Sequence, residues 1–197
     1  MQALRINDRI SYIEASDDPL SADIGIIQSD GVTWLYDVGN DVRSIAGLED
    51  HYNVVLSHFH QDHTGNIHRL RTREVLVSKE TRGHVQLGTV VSEDLYIGDM
   101  HVFPIPSSHT KGSLGLEVAG EFAFIGDALY SKVREGCYVY NATLLKDEIE
   151  VLKKLKAPFL LVSHYRGLIR PKGDVIAELE EIYGTREKNN PEIRVAR

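Results

Sequence analysis

The 197-residue sequence is short of cysteine, proline and basic side chains, with one Cys, six Pro and 22 Lys plus Arg against 29 Asp plus Glu. A lone thiol, Cys137, permits no intramolecular disulfide and no Cys-rich structural zinc site, which points to a reducing compartment. Cys137 is expected as a small buried or half-buried side chain rather than a nucleophile. No apolar run is long enough to span a bilayer. Arg5, Asp8, Arg9 and Glu14 leave no room between Met1 and Ser16 for the apolar centre of a signal peptide. A cytoplasmic protein with no membrane partner is therefore expected. The net charge of −7 makes a nucleic-acid backbone an unfavourable partner, because such binding draws on clustered Lys and Arg. The sequence also lacks a GxSxG elbow, an HExxH pair and a glycine-rich phosphate loop of Walker type, so three common catalytic designs drop out.

What is present is an ordinary globular composition, 42% hydrophobic and 26% charged, with no low-complexity tract, internal repeat or linker. A single domain spanning residues 1–197 is the expectation at this length. Short runs rich in Val, Ile, Tyr and Phe fill the first two thirds, and helical periodicity follows, which gives a mixed α and β fold. The predicted strands are Leu4 to Ala15, Asp23 to Ser29, Thr33 to Asp37, Asn53 to Ser57, Val75 to Ser78, Leu95 to Ile97, His101 to Ile105, Leu114 to Val118 and Glu121 to Ile125. Asp30-Gly31 and Ala119-Gly120 supply tight hairpin turns. A helix is predicted over Asn141 to Lys156, with Leu145, Ile149, Leu152 and Leu155 on one face and acids and lysines opposite. A last helix, capped by Asp174, carries Val175, Leu179, Ile182 and Tyr183 on one side and is followed by a polar tail from Thr185.

Four apolar runs end in a small residue followed at once by a metal-competent side chain. They lead through Ser57 to His58, through Ser108 to His109, through Gly126 to Asp127 and through Ser163 to His164. A buried strand fixes the backbone, and the ligand emerges at the sheet rim where water enters. Single histidines are usually surface or satisfied interior residues, and His51, His68, His84 and His101 are read that way. The stretch SHFHQDHTGN, Ser57 to Asn66, is different, because packing gives no reason for three histidines and an aspartate in so few positions. His58 and His60 point the same way in an extended or tightly turned loop, and Asp62 and His63 follow where a helix is entered at Thr64. One tetrahedral zinc takes three or four protein ligands, so this many nitrogen and oxygen donors serve two neighbouring ions more easily than one. Such donors suit zinc, iron, manganese or cobalt without choosing among them; two divalent ions are expected.

HxHxDH at positions 58 to 63, SSHT around His109, GDALY from Gly126 and SHY around His164 together resemble the signature of the metallo-β-lactamase superfamily, in order and spacing over most of the chain. The resemblance implies an α/β fold, a four-layer αββα sandwich with the site at one edge of two sheets. It implies His58, His60 and His109 on one metal, Asp62, His63 and His164 on the second, and Asp127 bridging both. The implied nucleophile is a metal-bridging hydroxide, since ions about 3.5–4 Å apart bring the pKa of bound water near neutrality and stabilise charge on the attacked and leaving oxygens. Asp62 is also the implied catalytic residue, orienting that hydroxide or passing a proton to the leaving group.

Asp127 as a bridging ligand resembles glyoxalase II, lactonases and phosphodiesterases of the superfamily more than true β-lactamases, which lack that carboxylate. His60 stands where flavodiiron oxygen reductases place a glutamate, and no flavodoxin-like domain follows. Phe124 to Tyr130 is similar to the GDTLF segment of glyoxalase II-like thioesterases. The chain departs from that subgroup by stopping soon after His164, without the helical portion that contributes to glutathione binding, and by placing Tyr165 where a glycine is usual. The expected activity is hydrolysis of an ester, thioester or lactone of a small molecule. Tyr130 and Tyr165 are candidate substrate contacts, with Tyr138 and Tyr140 nearby and Lys132 and Arg134 available for an anion; the competing reading is that the tyrosines cover the sheet edge and the cations are solvated. Alternatives are a phosphodiesterase or nuclease on the same metal site, an iron-dependent redox enzyme of the same fold, and a metal-binding or signalling module without turnover.

Overall fold

The computed structural model describes residues 1–48 and 51–196. Its first half holds β1 (Leu4–Arg5), β2 (Ile10–Ile13), β3 (Ser16–Asp17), β4 (Leu20–Ser21), β5 (Ile24–Ser29), β6 (Val32–Tyr36), β7 (Tyr52–Val55), α1 (Gln61–Thr64), β8 (Thr72–Val77), α2 (Lys79–Val85) and β9 (Thr89–Val90). Then come β10 (Leu95–Ile97), β11 (Met100–Ile105), β12 (Ser113–Val118), β13 (Phe122–Gly126), β14 (Lys132–Arg134), β15 (Cys137–Asn141), α3 (Ala142–Lys154), β16 (Phe159–Val162), β17 (Ile169–Pro171), α4 (Lys172–Gly184) and β18 (Glu192–Ala196). A seven-stranded sheet runs β1-β2-β5-β6-β7-β8-β9 and a six-stranded sheet β10-β11-β12-β13-β16-β17. Both sheets are mixed: β6, β7, β8 and β9 pair in parallel, as do β13 and β16, and the hairpins are antiparallel.

Period-2 alternation along the central strands sorts apolar side chains onto two faces, and both faces are buried. Trp34, Tyr36, Val55 and Leu76 of the first sheet meet Val102, Leu116, Phe124 and Leu161 of the second in one core between the sheets. Their neighbours Leu35, Val54, Val75 and Val77 turn outward and pack with Ile67 and Val85, the latter on α2. On the second sheet Phe103, Ala123, Ile125 and Leu160 turn the other way, toward Leu145, Ile149 and Leu152 of α3 and Val175 and Leu179 of α4. Three cores thus lie between four layers, helix, sheet, sheet and helix, in agreement with the expected sandwich. Fully burying one such aliphatic side chain is worth about 1.5–3 kcal/mol.

Both predicted hairpin turns form, with Asp30, Gly31, Ala119 and Gly120 all at positive φ, as a turn matched to strand twist requires. Leu4 to Ala15 is not one strand: Asn7 Oδ1 accepts the N–H groups of Arg9 and Ile10 and folds the chain back, so that β1 pairs with β2. The helix after the histidine loop begins at Gln61 rather than Thr64, with His60 as its N-cap. The last helix starts at Lys172 after Pro171, and Asp174 lies in its first turn rather than capping it, where its charge suits the helix dipole. Glu148 departs from the predicted polar face of α3 and is buried beside Leu145 and Leu152. The polar tail is not wholly irregular: β18 pairs with β15 and buries Ile193.

Candidate metal centre

Parallel pairing brings strand ends to one rim. Tyr36 pairs with Val55, so Asp37 after β6 and His58 after β7 emerge side by side. In the second sheet Gly126 pairs with Val162, which sets Asp127 and His164 at the matching end. The two rims touch at Ser57, whose carbonyl accepts the N–H of Leu114 at 2.8 Å. Gly126 makes this contact possible. Its φ is +54°, and a Cβ there would lie 2.8 Å from the Cβ of Ser57, closer than packed carbons tolerate. His109 follows a loop rather than the strand end itself, because β11 stops at Ile105; Ser107 Oγ accepts the N–H of His109 and donates to the carbonyl of Ala128.

All seven predicted residues converge, in two groups: His58, His60 and His109, and Asp62, His63, Asp127 and His164. Within each group the donor atoms lie within 4.8 Å of one another. His58 Nε2 and His109 Nε2 each stand 3.0 Å from Nδ1 of His60. In the second group His164 Nε2 is 3.1 Å and His63 Nε2 3.6 Å from Asp62 Oδ2. Asp127 faces both: Oδ2 lies 3.4 Å from His109 Nε2, and Oδ1 lies 3.4 Å from His63 Nε2. His63 Nε2 and Asp127 Oδ1 are buried without a hydrogen-bond partner. Orphaned buried polar atoms are costly in a folded protein unless something else satisfies them, and imidazole nitrogens converging on carboxylate oxygens form the donor set that transition-metal ions accept. The residues therefore fit a pair of ions.

A buried chain of hydrogen bonds orients these donors. Asp37 Oδ2 accepts from Ser57 Oγ at 2.7 Å and is 2.7 Å from His63 Nδ1, while Ser57 Oγ is 3.0 Å from His58 Nδ1. With Nδ1 of His58 engaged as a donor, its Nε2 presents a lone pair to the centre, and Nε2 of His63, whose Nδ1 is held by Asp37, faces the same centre and would present a lone pair once a bound cation displaces its proton. Asp23, half-way between sheets in sequence but buried, accepts the backbone N–H of His164 at 3.0 Å and fixes a residue whose φ is +61°. Neither Asp37 nor Asp23 was picked out as a site residue by sequence reasoning. A partial signal existed for Asp37, since the run Trp34-Leu35-Tyr36 leads into it as the four other runs lead into donors, but without a small residue before it.

Burial sets the charge pattern. It pulls His58 far below the ordinary imidazole range, assisted by the neighbouring imidazoles of His63 and His60, and pulls His60 and His109 down as well. At His63 burial also acts downward, but Asp37 and Asp127 outweigh it and hold the ring well above its usual value. At His164 burial acts downward, but Asp62 and Asp127 together raise the ring, and at Asp62 burial acts upward, but His164 and His63 together with its backbone hydrogen bond lower it. The first group is thus a neutral nitrogen cluster and the second a mixed acid and imidazole cluster.

A cavity of about 830 Å³ opens on the centre, lined by His60, Asp62, His109, Asp127 and His164 and also by Tyr130, Tyr138, Tyr140 and Tyr165. The Tyr130 hydroxyl donates to the carbonyl of Ser163, which seats its ring beside that of His109. Lys132 and Arg134 are not part of the lining; they lie on exposed β14, where Arg134 pairs with Glu192. The cation at the cavity is Arg170. His84 stacks on Phe59, and His101 sits between Asp94 and Glu117, both outside the donor groups.

No protein-family model matches the sequence, and no curated protein matches it. Solved structures do match. DIM-1 metallo-β-lactamase superposes with a TM-score of 0.70 at 13% identity over 93% of this chain and 97% of its own. The archaeal metallo-β-lactamase superfamily protein ST1585 of Sulfolobus tokodaii superposes with a TM-score of 0.62 at 17% identity over 92% of this chain and 89% of its own. A structure described as the peroxy diiron species of chemotaxis sensor ODP gives 0.66 at 13% identity over 91% and 94%. The chain has the metallo-β-lactamase fold.

Proposed function

We propose that the protein is a dinuclear metal-dependent hydrolase acting on an ester, thioester or lactone of a small molecule. The observation that carries this reading is Asp127, whose two oxygens each face a different donor group at 3.4 Å while the cavity opens on both. In this reading His58, His60 and His109 would hold one ion and Asp62, His63 and His164 the other, with Asp127 available to both. Bound there, two divalent ions, zinc first, supply Lewis acidity and a water acidic enough to ionise near neutral pH. Asp62 is kept as a carboxylate by His164 and faces the cavity, so it takes the role of orienting the water and passing its proton to the leaving group. Tyr130 and Tyr165 flank the substrate. The likeness of Phe124 to Tyr130 to the glyoxalase II-like segment supports thioester or ester chemistry. The apolar character of the lining supports a small molecule over a nucleic acid, and Cys137 as a free thiol fits a cytoplasmic setting.

A di-iron redox reading is favoured by one specific observation, the likeness in fold to the peroxy diiron sensor structure. Elemental analysis of the purified protein beside a panel of thioester, lactone and bis-phosphodiester substrates separates the two. Near two equivalents of metal with turnover of one ester class supports the hydrolase; iron with no hydrolysis of any substrate overturns it.

A further inference from the structure

The cavity does not end at the donor groups. Away from them its lining presents Ile182 of α4, Tyr138 of β15 and Val195 of β18, backed by the buried Val175, Leu179 and Tyr140 of the core behind. At the mouth, Leu20, Val133, Tyr138 and Tyr165 are 53%, 51%, 38% and 44% exposed, and all four belong to the lining. Large apolar side chains gathered around one opening mark a surface that an apolar ligand covers. The charged residues of the lining outside the donor groups are Asp17, on the exposed ribbon, and the pair Arg170 and Glu178, joined at 2.6 Å. Arg170 is further engaged over the ring of Tyr165 at 5.1 Å. Among the described residues no unpaired cation of the lining is left to grip a phosphate or a peptide carboxylate, whereas an apolar group meets Leu20, Val133, Ile182 and Val195 and the rings of Tyr138 and Tyr165.

We propose that this wall is the seat of a long unbranched acyl chain, so that the substrate is an acyl ester or thioester whose scissile carbonyl lies at the donor groups. The ester part rests on the hydrolase reading above; the chain site rests on the wall alone. In the reaction the oxygen of water bonds to the acyl carbon, the C–O or C–S bond breaks, and one proton of the water passes to the departing alcohol or thiol. The carboxylic acid formed leaves as its anion. A volume of about 830 Å³ is at the upper part of the range of about 300–1,000 Å³ that encloses ligands of drug size, far more than an acetyl group fills.

The test uses the metal-loaded protein with two series of equal chain lengths, acetyl to decanoyl, one of nitrophenyl oxygen esters and one of acyl thioesters. Calorimetric binding of the matching alkanoates is measured alongside. Each added methylene buried in the wall is expected to raise kcat/KM about fourfold until the wall is filled, in at least one series, and alkanoate affinity is expected to climb with length. Ala196→Trp, at the exposed end of β18, should move the optimum to shorter chains with the melting temperature retained. Turnover and alkanoate binding both indifferent to length would overturn the chain site. Binding that climbs with length without hydrolysis of any ester would leave the chain site standing and remove the hydrolase reading instead.

Discussion

Nδ1 of His63 lies 2.7 Å from Oδ2 of Asp37, and both side chains are completely buried. Asp37 also accepts the N–H of Ser57 through Oδ1 and the Ser57 hydroxyl through Oδ2. One carboxylate therefore fixes the tautomer of His63, the rotamer of Ser57 and, through Ser57, the ring of His58. Its φ of +59° adds backbone strain, which Asp and Asn tolerate better than other side chains.

Asp37→Asn keeps the shape but replaces one acceptor by an NH₂ group, which must then face either Ser57 N–H or the Nδ1–H of His63, donor against donor. The residue that pays is expected to be His63. Affinity for the second equivalent of zinc should fall about 10–100-fold, with the first equivalent changed much less. Titration against a competing chelator reads both steps; equal loss at both sites, or none, would count against the positioning role.

Asp62→Asn addresses turnover. Asp62 Oδ2 contacts His164 Nε2 at 3.1 Å, and an amide retains that contact while giving up the ability to carry a proton. Positioned acid or base groups contribute about 10²–10⁴-fold. A loss in kcat of that order is expected, with binding of the first metal nearly unchanged. Equal losses in turnover and in first-metal binding would show that the carboxylate serves only to hold the site together.

Gly126→Ala tests the contact between the sheet rims. The new Cβ would meet Ser57 Cβ at 2.8 Å and Ser57 Oγ at 2.9 Å, in a backbone conformation that L-residues adopt at a cost of about 1–2 kcal/mol. Overpacking adds about 1–3 kcal/mol. A drop in stability of at least about 2 kcal/mol in denaturant unfolding is expected, with metal affinity weakened as Asp127 is displaced. A variant as stable as the parent would mean that the rim can shift freely.

The donors were legible in sequence because each follows an apolar strand whose burial is itself legible, and because His58, His60, Asp62 and His63 are crowded beyond any packing need. The apolar runs and helical periodicity made a mixed α and β fold legible, and the four-layer sandwich was legible through the resemblance. Less visible were the parts that depend on pairing over long distances. β18 has Ile193, Val195 and the small Ala196 as its apolar residues, and its strand character comes from its partner β15. Asp23 reads as an ordinary polar strand start, and only the fold brings it to the N–H of His164, 141 residues away. Arg170 carries no signal in the sequence pattern, and the pairing of β17 with β16 is what brings it to the cavity.

Glu148 shows the same limit from the opposite side. Along α3 it stands three residues after Leu145 and four before Leu152, on the stripe that faces the core, and both of its carboxyl oxygens are buried without a hydrogen-bond partner. Burial pushes its pKa well above the ordinary 4.5. A carboxyl group with a raised folded-state pKa binds its proton more tightly folded than unfolded. Its favourable contribution is complete below about pH 4.5 and is lost as pH rises from there through the folded-state value. Glu148→Met removes that dependence and fills the same stripe. Relieving an unpaired buried carboxyl is worth about 1–3 kcal/mol, and each kcal/mol moves Tm by about 2–4 °C at this chain length. Calorimetric melting should therefore show the variant more stable than the parent at pH 8, with the difference shrinking toward pH 4.5. A difference that stays constant across that span would mean that Glu148 is ionised in the folded protein and finds a partner there.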